Sequence, residues 1–131
     1  MGRRKSYEVE GYSHGKNPIP AVSRVGDIIA SGGISGRDLT TGALAETLEG
    51  QCELMFKLME FIVETAGATV DDIVKMTVYL RKGISRDALN NQWNRYFPDA
   101  DSRPVRHVII YDNLPEKMLI QCEFLAVAPD K

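Results

Sequence analysis

Residues 47–80, TLEGQCELMFKLMEFIVETAGATVDDIVKMTVYL, change hydrophobic period from about 3.6 to 2 within a few positions, and that switch decides the fold. From Thr47 to Ala66 the residues Leu48, Cys52, Met55, Met59, Ile62 and Ala66 recur at steps of three and four, which is one face of a helix. Phe56 and Val63 widen that face, while Glu49, Glu53, Lys57, Glu60 and Glu64 occupy most of the other. Leu54, Leu58 and Phe61 fall outside the stripe, so the helix is expected to touch neighbours on more than one side. Gly67 supplies the left-handed residue that ends many helices. Thr69 with Asp72 three residues later predicts a capping box on one short turn. In IVKMTVYL, Val74, Met76, Val78 and Leu80 are then expected on one face of a strand, and Ile73, Lys75, Thr77 and Tyr79 on the other.

Upstream, Tyr7 to Gly11 alternates like a short strand, and SHGKNPIP reads as a loop because Gly15, Pro18 and Pro20 disrupt regular pairing. AVSRVGDIIASGG predicts a hairpin turning near Gly26-Asp27, followed by an irregular link to about Ala45. Downstream, a second helix is expected over Ser85 to Phe97, with Leu89, Trp93 and Phe97 buried and Pro98 ending it. VRHVIIY and MLIQCEFLAV form two strands around the turn DNLPEK. In the last strand Met118, Ile120, Cys122, Phe124 and Ala126 share one face. Leu119, Gln121, Glu123, Leu125 and Val127 share the other, a mixed face of the kind that closes on another subunit. The order of elements predicts an α+β fold with two helices on one face of a sheet.

A chain of 131 residues is expected to form one domain over 1–131, large enough to bury a core without staples. Sixteen basic against eighteen acidic residues and a pI near 5.7 give no bulk attraction to nucleic acid or to an anionic membrane. No apolar run reaches the roughly 20 residues needed to span a bilayer, and MGRRKSYEVEGYSH has no apolar core after its basic start. Cys52 and Cys122 are too few and too far apart for a disulfide scaffold or zinc site. The expectation is a cytoplasmic protein whose two thiols are small buried hydrophobes.

Strong generic catalytic motifs are missing: there is no Walker loop, HExxH or GxSxG, and SGGISG lacks the strand-to-helix context of a nucleotide loop. With His14 and His107 the only histidines, a multi-histidine metal site is excluded, and both are read as structural or surface residues. Arginine is more informative. SRPVRHVI places Arg106 at the start of a strand, and if it points with Val108 and Ile110 its guanidinium sits on a partly apolar surface. There it requires either an internal acid or a carboxylate or phosphate ligand.

Taken together, VGDIIASGG, Thr41-Gly42, Gln51, ETAGATVDDIVKMTVYL, LNNQWNRYF, RPVRH and IQCEFLAV resemble the RidA/YjgF family in order and spacing, from about Pro20 to Val127. The resemblance implies a chorismate mutase-like fold: a mixed sheet with two helices on one face, assembled as a homotrimer around a central barrel. It also implies hydrolysis of small carboxylated enamines and imines to keto acids and ammonia, without metal or organic cofactor. Arg106 matches the family arginine that pairs with the substrate carboxylate, a task suited to its bidentate fork. The backbone around Gly32 and Val108 matches the stretch lining the ligand pocket, although RidA commonly carries cysteine at the position of Val108. Asn90 matches a family asparagine on the second helix that supports the site.

The chain departs from that pattern in two places. The family glutamate that positions the attacking water falls on Gln121, which orients a water but accepts no proton. The tyrosine that packs over the ligand falls near Pro18, and Tyr12 replaces it only if the loop folds back. Glu123, two residues from Gln121, shares its face and is read either as a substitute base or as a structural carboxylate within the barrel. The expected activity is therefore a deaminase, with Gln121 catalytic and Arg106 the anchor. The alternative is a non-catalytic trimeric binding protein for a small carboxylated metabolite. A ribonuclease or translation-inhibitor role, attached to some relatives, fits worst with the acidic pI and the lack of an acid-base histidine pair.

Overall fold

The computed structural model describes residues 3–129. Its strands are β1 (Lys5–Tyr7), β2 (Val22–Val25), β3 (Ile28–Ser31), β4 (Ile34–Ser35), β5 (Ile73–Leu80), β6 (Val105–Ile110) and β7 (Ile120–Val127), with helices α1 (Leu48–Thr65) and α2 (Asp87–Tyr96). The sheet runs β1-β2-β3-β7-β5-β6, and β4 also pairs with β7. All pairings are antiparallel except β5 with β6. This is the mixed sheet with two helices on one face that the sequence predicts.

α1 begins where Thr47 accepts a hydrogen bond from the Gly50 amide and stops before Gly67, at a φ of 91°. Its Met55, Phe56, Met59, Ile62 and Val63 are buried against Ile29, Ile34, Met76, Val78, Ile120 and Cys122 from the sheet. Each such large side chain contributes roughly 1.5–3 kcal/mol on burial. Leu58 is buried beyond the expected stripe, whereas Phe61 stays 52% exposed.

Two buried polar side chains fix the ends of α1. Gln51 donates from Nε2 to the Ala45 and Lys117 carbonyls, both at 3.0 Å, and its Oε1 accepts from the Leu119 amide at 2.9 Å. At the other end Arg24 donates to the Ala66 carbonyl (2.9 Å) and the Ala128 carbonyl (2.6 Å). Gly36 lets β4 lie against α1, because a Cβ there would overlap the Gln51 backbone.

The structure differs from the sequence expectations at particular points. The first strand is Lys5–Tyr7 rather than 7–11, because the Tyr12 amide bonds back to the Val9 carbonyl at 3.0 Å and turns both side chains into the core. Within the link expected to be irregular, Ile34 and Ser35 pair with Cys122 and Gln121. β3 reaches only Leu125–Val127, which leaves the first half of β7 free for this short strand. Val74 is 48% exposed instead of buried, since a bulge between Ile73 and Lys75 breaks the alternation. α2 starts at Asp87, whose amide donates to the Ser85 hydroxyl. Trp93 is half-buried rather than core.

The face opposite the helices carries Ile28, Val105, Leu125 and Val127, exposed by 38–64%, alongside Lys75, Thr77, Tyr79, His107, Gln121 and Glu123. A Gln51→Leu variant removes the partners of three backbone groups. It is expected to lose about 3 kcal/mol and to lower Tm by roughly 10 °C in calorimetry, with little change in far-ultraviolet circular dichroism.

Candidate functional site

The register of the sheet determines which candidate residues meet. Arg106 lies opposite Met76 and Val108 opposite Val78, and paired residues share a face, so both stand on the helix side. There the Arg106 guanidinium lies 4.9 Å above the Trp93 ring of α2, a cation–π contact. Asn90 sits one turn before Trp93 on the same helix. The Arg106 Nη1 is buried and has no hydrogen-bond partner among the described residues. Burial, and then the nearby Arg86 charge, push the guanidinium below its ordinary range. No carboxylate contributes to that shift. A buried donor of this kind costs stability until an acceptor arrives.

Gln121 and Glu123 pair with Tyr79 and Thr77, on the face away from the helices. Arg106 and Gln121 of one chain therefore belong to opposite sides of the sheet. Glu123 accepts a hydrogen bond from the Tyr79 hydroxyl at 2.9 Å, which raises the tyrosine above its usual range and occupies one carboxylate oxygen. That arrangement is the structural use of Glu123 considered from the sequence.

Gln121 lines a cleft of about 560 Å³ together with Tyr12, His14, Gly33, Ser35 and Arg37. The Gln121 carboxamide lies over Gly33, where an added Cβ would come within 3.0 Å of it, so a residue without a side chain makes room for it. The 8–20 loop does fold back. The Tyr12 hydroxyl donates to the Gly33 carbonyl at 2.7 Å and accepts from the Ser35 amide at 3.2 Å. Tyr12 is buried, which pushes its hydroxyl up, and it braces the backbone at the cleft floor. His14 Nε2 lies 3.0 Å from the same carbonyl; because a carbonyl only accepts, Nε2 carries the proton. Its Nδ1 is buried and has no hydrogen-bond partner among the described residues. Gly32 packs beside the His14 ring, 3.4 Å from where its Cβ would stand.

His14, expected to be structural or at the surface, is half-buried at the cleft wall and bonded to the Gly33 carbonyl, which agrees with a structural place. Arg86, which the sequence does not single out, is exposed just before α2; its signal is a spacing of four from Asn90 and seven from Trp93. No group of three or more histidine, cysteine or acidic residues among the described residues is arranged to hold a metal ion. Among the described residues no helix is long and apolar enough to cross a membrane.

The profile of the family described as Endoribonuclease L-PSP matches residues 11–128. A RutC family protein of Aquifex aeolicus is 32% identical over 118 residues, covering 86% of this chain and 94% of the relative. The 2-iminobutanoate/2-iminopropanoate deaminase of Salmonella typhimurium is 30% identical over 104 residues, covering 79% and 81%. The crystal structure of the YjgF gene product of Escherichia coli superposes with a TM-score of 0.83 at 25% identity, covering 94% of this chain and 98% of the other.

Neither cysteine joins the cleft. Cys122 alternates with Gln121 and Glu123 and faces the helices, fully buried, while Cys52 lies in α1. Burial pushes the Cys52 thiol up to about 11 and the Cys122 thiol higher still. At pH 8 about one Cys52 in a thousand is thiolate. A disulfide reagent is therefore expected to titrate no fast-reacting thiol in the native protein and both thiols in guanidinium; a rapidly labelled native cysteine would contradict this assignment.

Proposed function

The chain belongs to the RidA/YjgF family, and from that premise we propose that it is a hydrolytic deaminase of small carboxylated enamines and imines. The observation that carries the reading is the Arg106 guanidinium, stacked on Trp93 with a buried donor and, among the described residues, no hydrogen-bond partner and no acid contributing to its shift. A ligand carboxylate supplies the missing acceptor in a charge-assisted pair. The Salmonella relative bears the name of such a deaminase, which supports the reaction class.

In the proposed reaction, water adds to the imine carbon and the C–O bond forms as the C=N π pair moves to nitrogen, which takes up a proton. The resulting carbinolamine then loses its C–N bond, giving the keto acid and ammonia. Gln121 holds the water by hydrogen bonding, and the Gly32–Gly33 and Val108 backbone shapes the pocket. His14 is the one imidazole on the cleft wall, a group that accepts and returns protons as a carboxamide does not. A protonated imine is already electrophilic, so weak base assistance suffices. The reaction draws on no metal or organic cofactor.

Because Arg106 and Gln121 occupy opposite faces of one sheet, a complete site needs a second copy. We propose a homotrimer in which the Arg106 edge of one subunit meets the Gln121 cleft of the next. The apolar residues Ile28, Val105, Leu125 and Val127 suit such closure of the sheets. Light scattering is expected to give about 44 kDa, three times the 14.6 kDa chain. A monomer at micromolar concentration would remove the shared site.

The decisive assay follows ammonia release, or loss of semicarbazone, with 2-imino acids generated in situ. Wild type is expected to accelerate hydrolysis, and Arg106→Ala to lower kcat/KM by about 100-fold. Gln121→Glu is expected to retain activity. If wild type is inert and only Gln121→Glu turns over, the native protein is a carboxylate-binding trimer, the reading that the carboxamide at 121 favours.

A further inference from the structure

The helix side of the site holds more positive charge than one carboxylate requires. Arg86, exposed, is the N-cap of α2: its carbonyl accepts from the Asn90 amide at 2.8 Å, and Asn90 and Trp93 follow at steps of four and three. At 3.6 residues per turn the three positions line one stripe. Arg106 from β6 lies over the last member of that stripe. The Arg86 charge is close enough to disfavour the charged form of Arg106, and burial acts in the same direction. Among the described residues no acidic side chain contributes to the shift of Arg106. Asp87 neighbours Arg86 in the chain, but it stands about 100° further round the helix and exerts no resolved influence on Arg106.

Arg86 is exposed at the rim and keeps its hydration, whereas the buried Arg106 Nη1 has no partner among the described residues. A single carboxylate satisfies the Arg106 fork and leaves the exposed Arg86 charge without a counterpart. A ligand with two anionic groups pairs with both cations.

We propose that Arg86 is a specificity-determining residue forming a second anion subsite, and that the preferred ligands are dicarboxylates: 2-imino or 2-oxo acids with a second carboxylate at the far end of a short chain. The proposal deepens the reading of Arg106 as the carboxylate anchor and rests on it. Asn90, between the two cations along the stripe, offers a carboxamide to the polar atoms of the ligand between its two charges.

Two stable keto acids of equal chain length test it: 2-oxoglutarate, and 2-oxopentanoate, which lacks the second carboxylate. Binding is measured by calorimetry, with fluorescence of Trp93, the single tryptophan, as a local reporter. Wild type is expected to bind 2-oxoglutarate about tenfold more tightly. Arg86→Gln is expected to bring 2-oxoglutarate down to the level of 2-oxopentanoate, Arg86→Lys to restore part of the difference, and Arg106→Ala to weaken both ligands. Equal affinities in wild type, or a preference that survives Arg86→Gln, would overturn the subsite while leaving the anchor standing. If neither acid binds wild type, the anchor itself falls and the subsite with it.

Discussion

The buried carboxamide of Gln51 is the contact on which the placement of the site depends. Its two donors hold the Ala45 carbonyl, before α1, and the Lys117 carbonyl, before β7, while its oxygen holds the Leu119 amide. One side chain thus ties the helix to the turn that launches β7, two residues before Gln121. The contact also draws β4 inward, since the Gln51 backbone lies where Gly36 leaves room. A carboxamide suits this position because it offers donors and an acceptor without carrying a charge that burial would penalise. Arg24 does related work at the far end of α1, where three backbone carbonyls accept from its guanidinium. α1 is therefore pinned at both ends, and the apolar contacts between fill in a register already set.

A strand points successive side chains to opposite faces, so the pleat that makes a core also divides the chemistry. β6 sends Arg106 toward the helices, and β7 sends Gln121 away from them. No rotamer change within a monomer unites the two. This constraint gives subunit contact a catalytic meaning beyond the burial of apolar surface: the edge that binds the carboxylate and the cleft that holds the water come from different copies in the proposed trimer. The two buried side-chain atoms without partners among the described residues, His14 Nδ1 and Arg106 Nη1, lie on the two sides that the proposed trimer brings together.

Periodic elements were legible in the sequence because burial imposes a simple repeat. The stripe of α1, the alternation of β7 and the capping box at Thr69 are all present as read. Val74 was misplaced because a bulge adds a residue without a distinctive local signature. The Ile34–Ser35 strand is too short for alternation to register, and only the free half of β7 makes it pair. Trp93 matched a core stripe by spacing, but α2 sits at the sheet margin, and its ring supports Arg106 instead of filling the interior. The loop carrying His14 was recognised as a loop. Its return across Gly33 was not legible, since it depends on the tertiary bonds made by Tyr12 and His14.

Two features of the site shift its charge in the same direction. A glutamate at position 121 would set a negative charge in the cleft, facing whatever anion the arginines bring in. For a monocarboxylate held at a distance by Arg106, that repulsion is modest in water-accessible surroundings. For a dianion whose second group projects from the anchor, the repulsion grows, and desolvation on closing the site strengthens it. Gln121 keeps the hydrogen-bonding geometry and removes the charge. Arg86 adds a positive charge on the other side, and Arg37 lines the cleft as well. In the proposed site the uncharged Gln121 and the charge of Arg86 act together: water is handled by orientation alone, and the absence of a carboxylate at 121 removes a repulsion that a doubly charged ligand would meet.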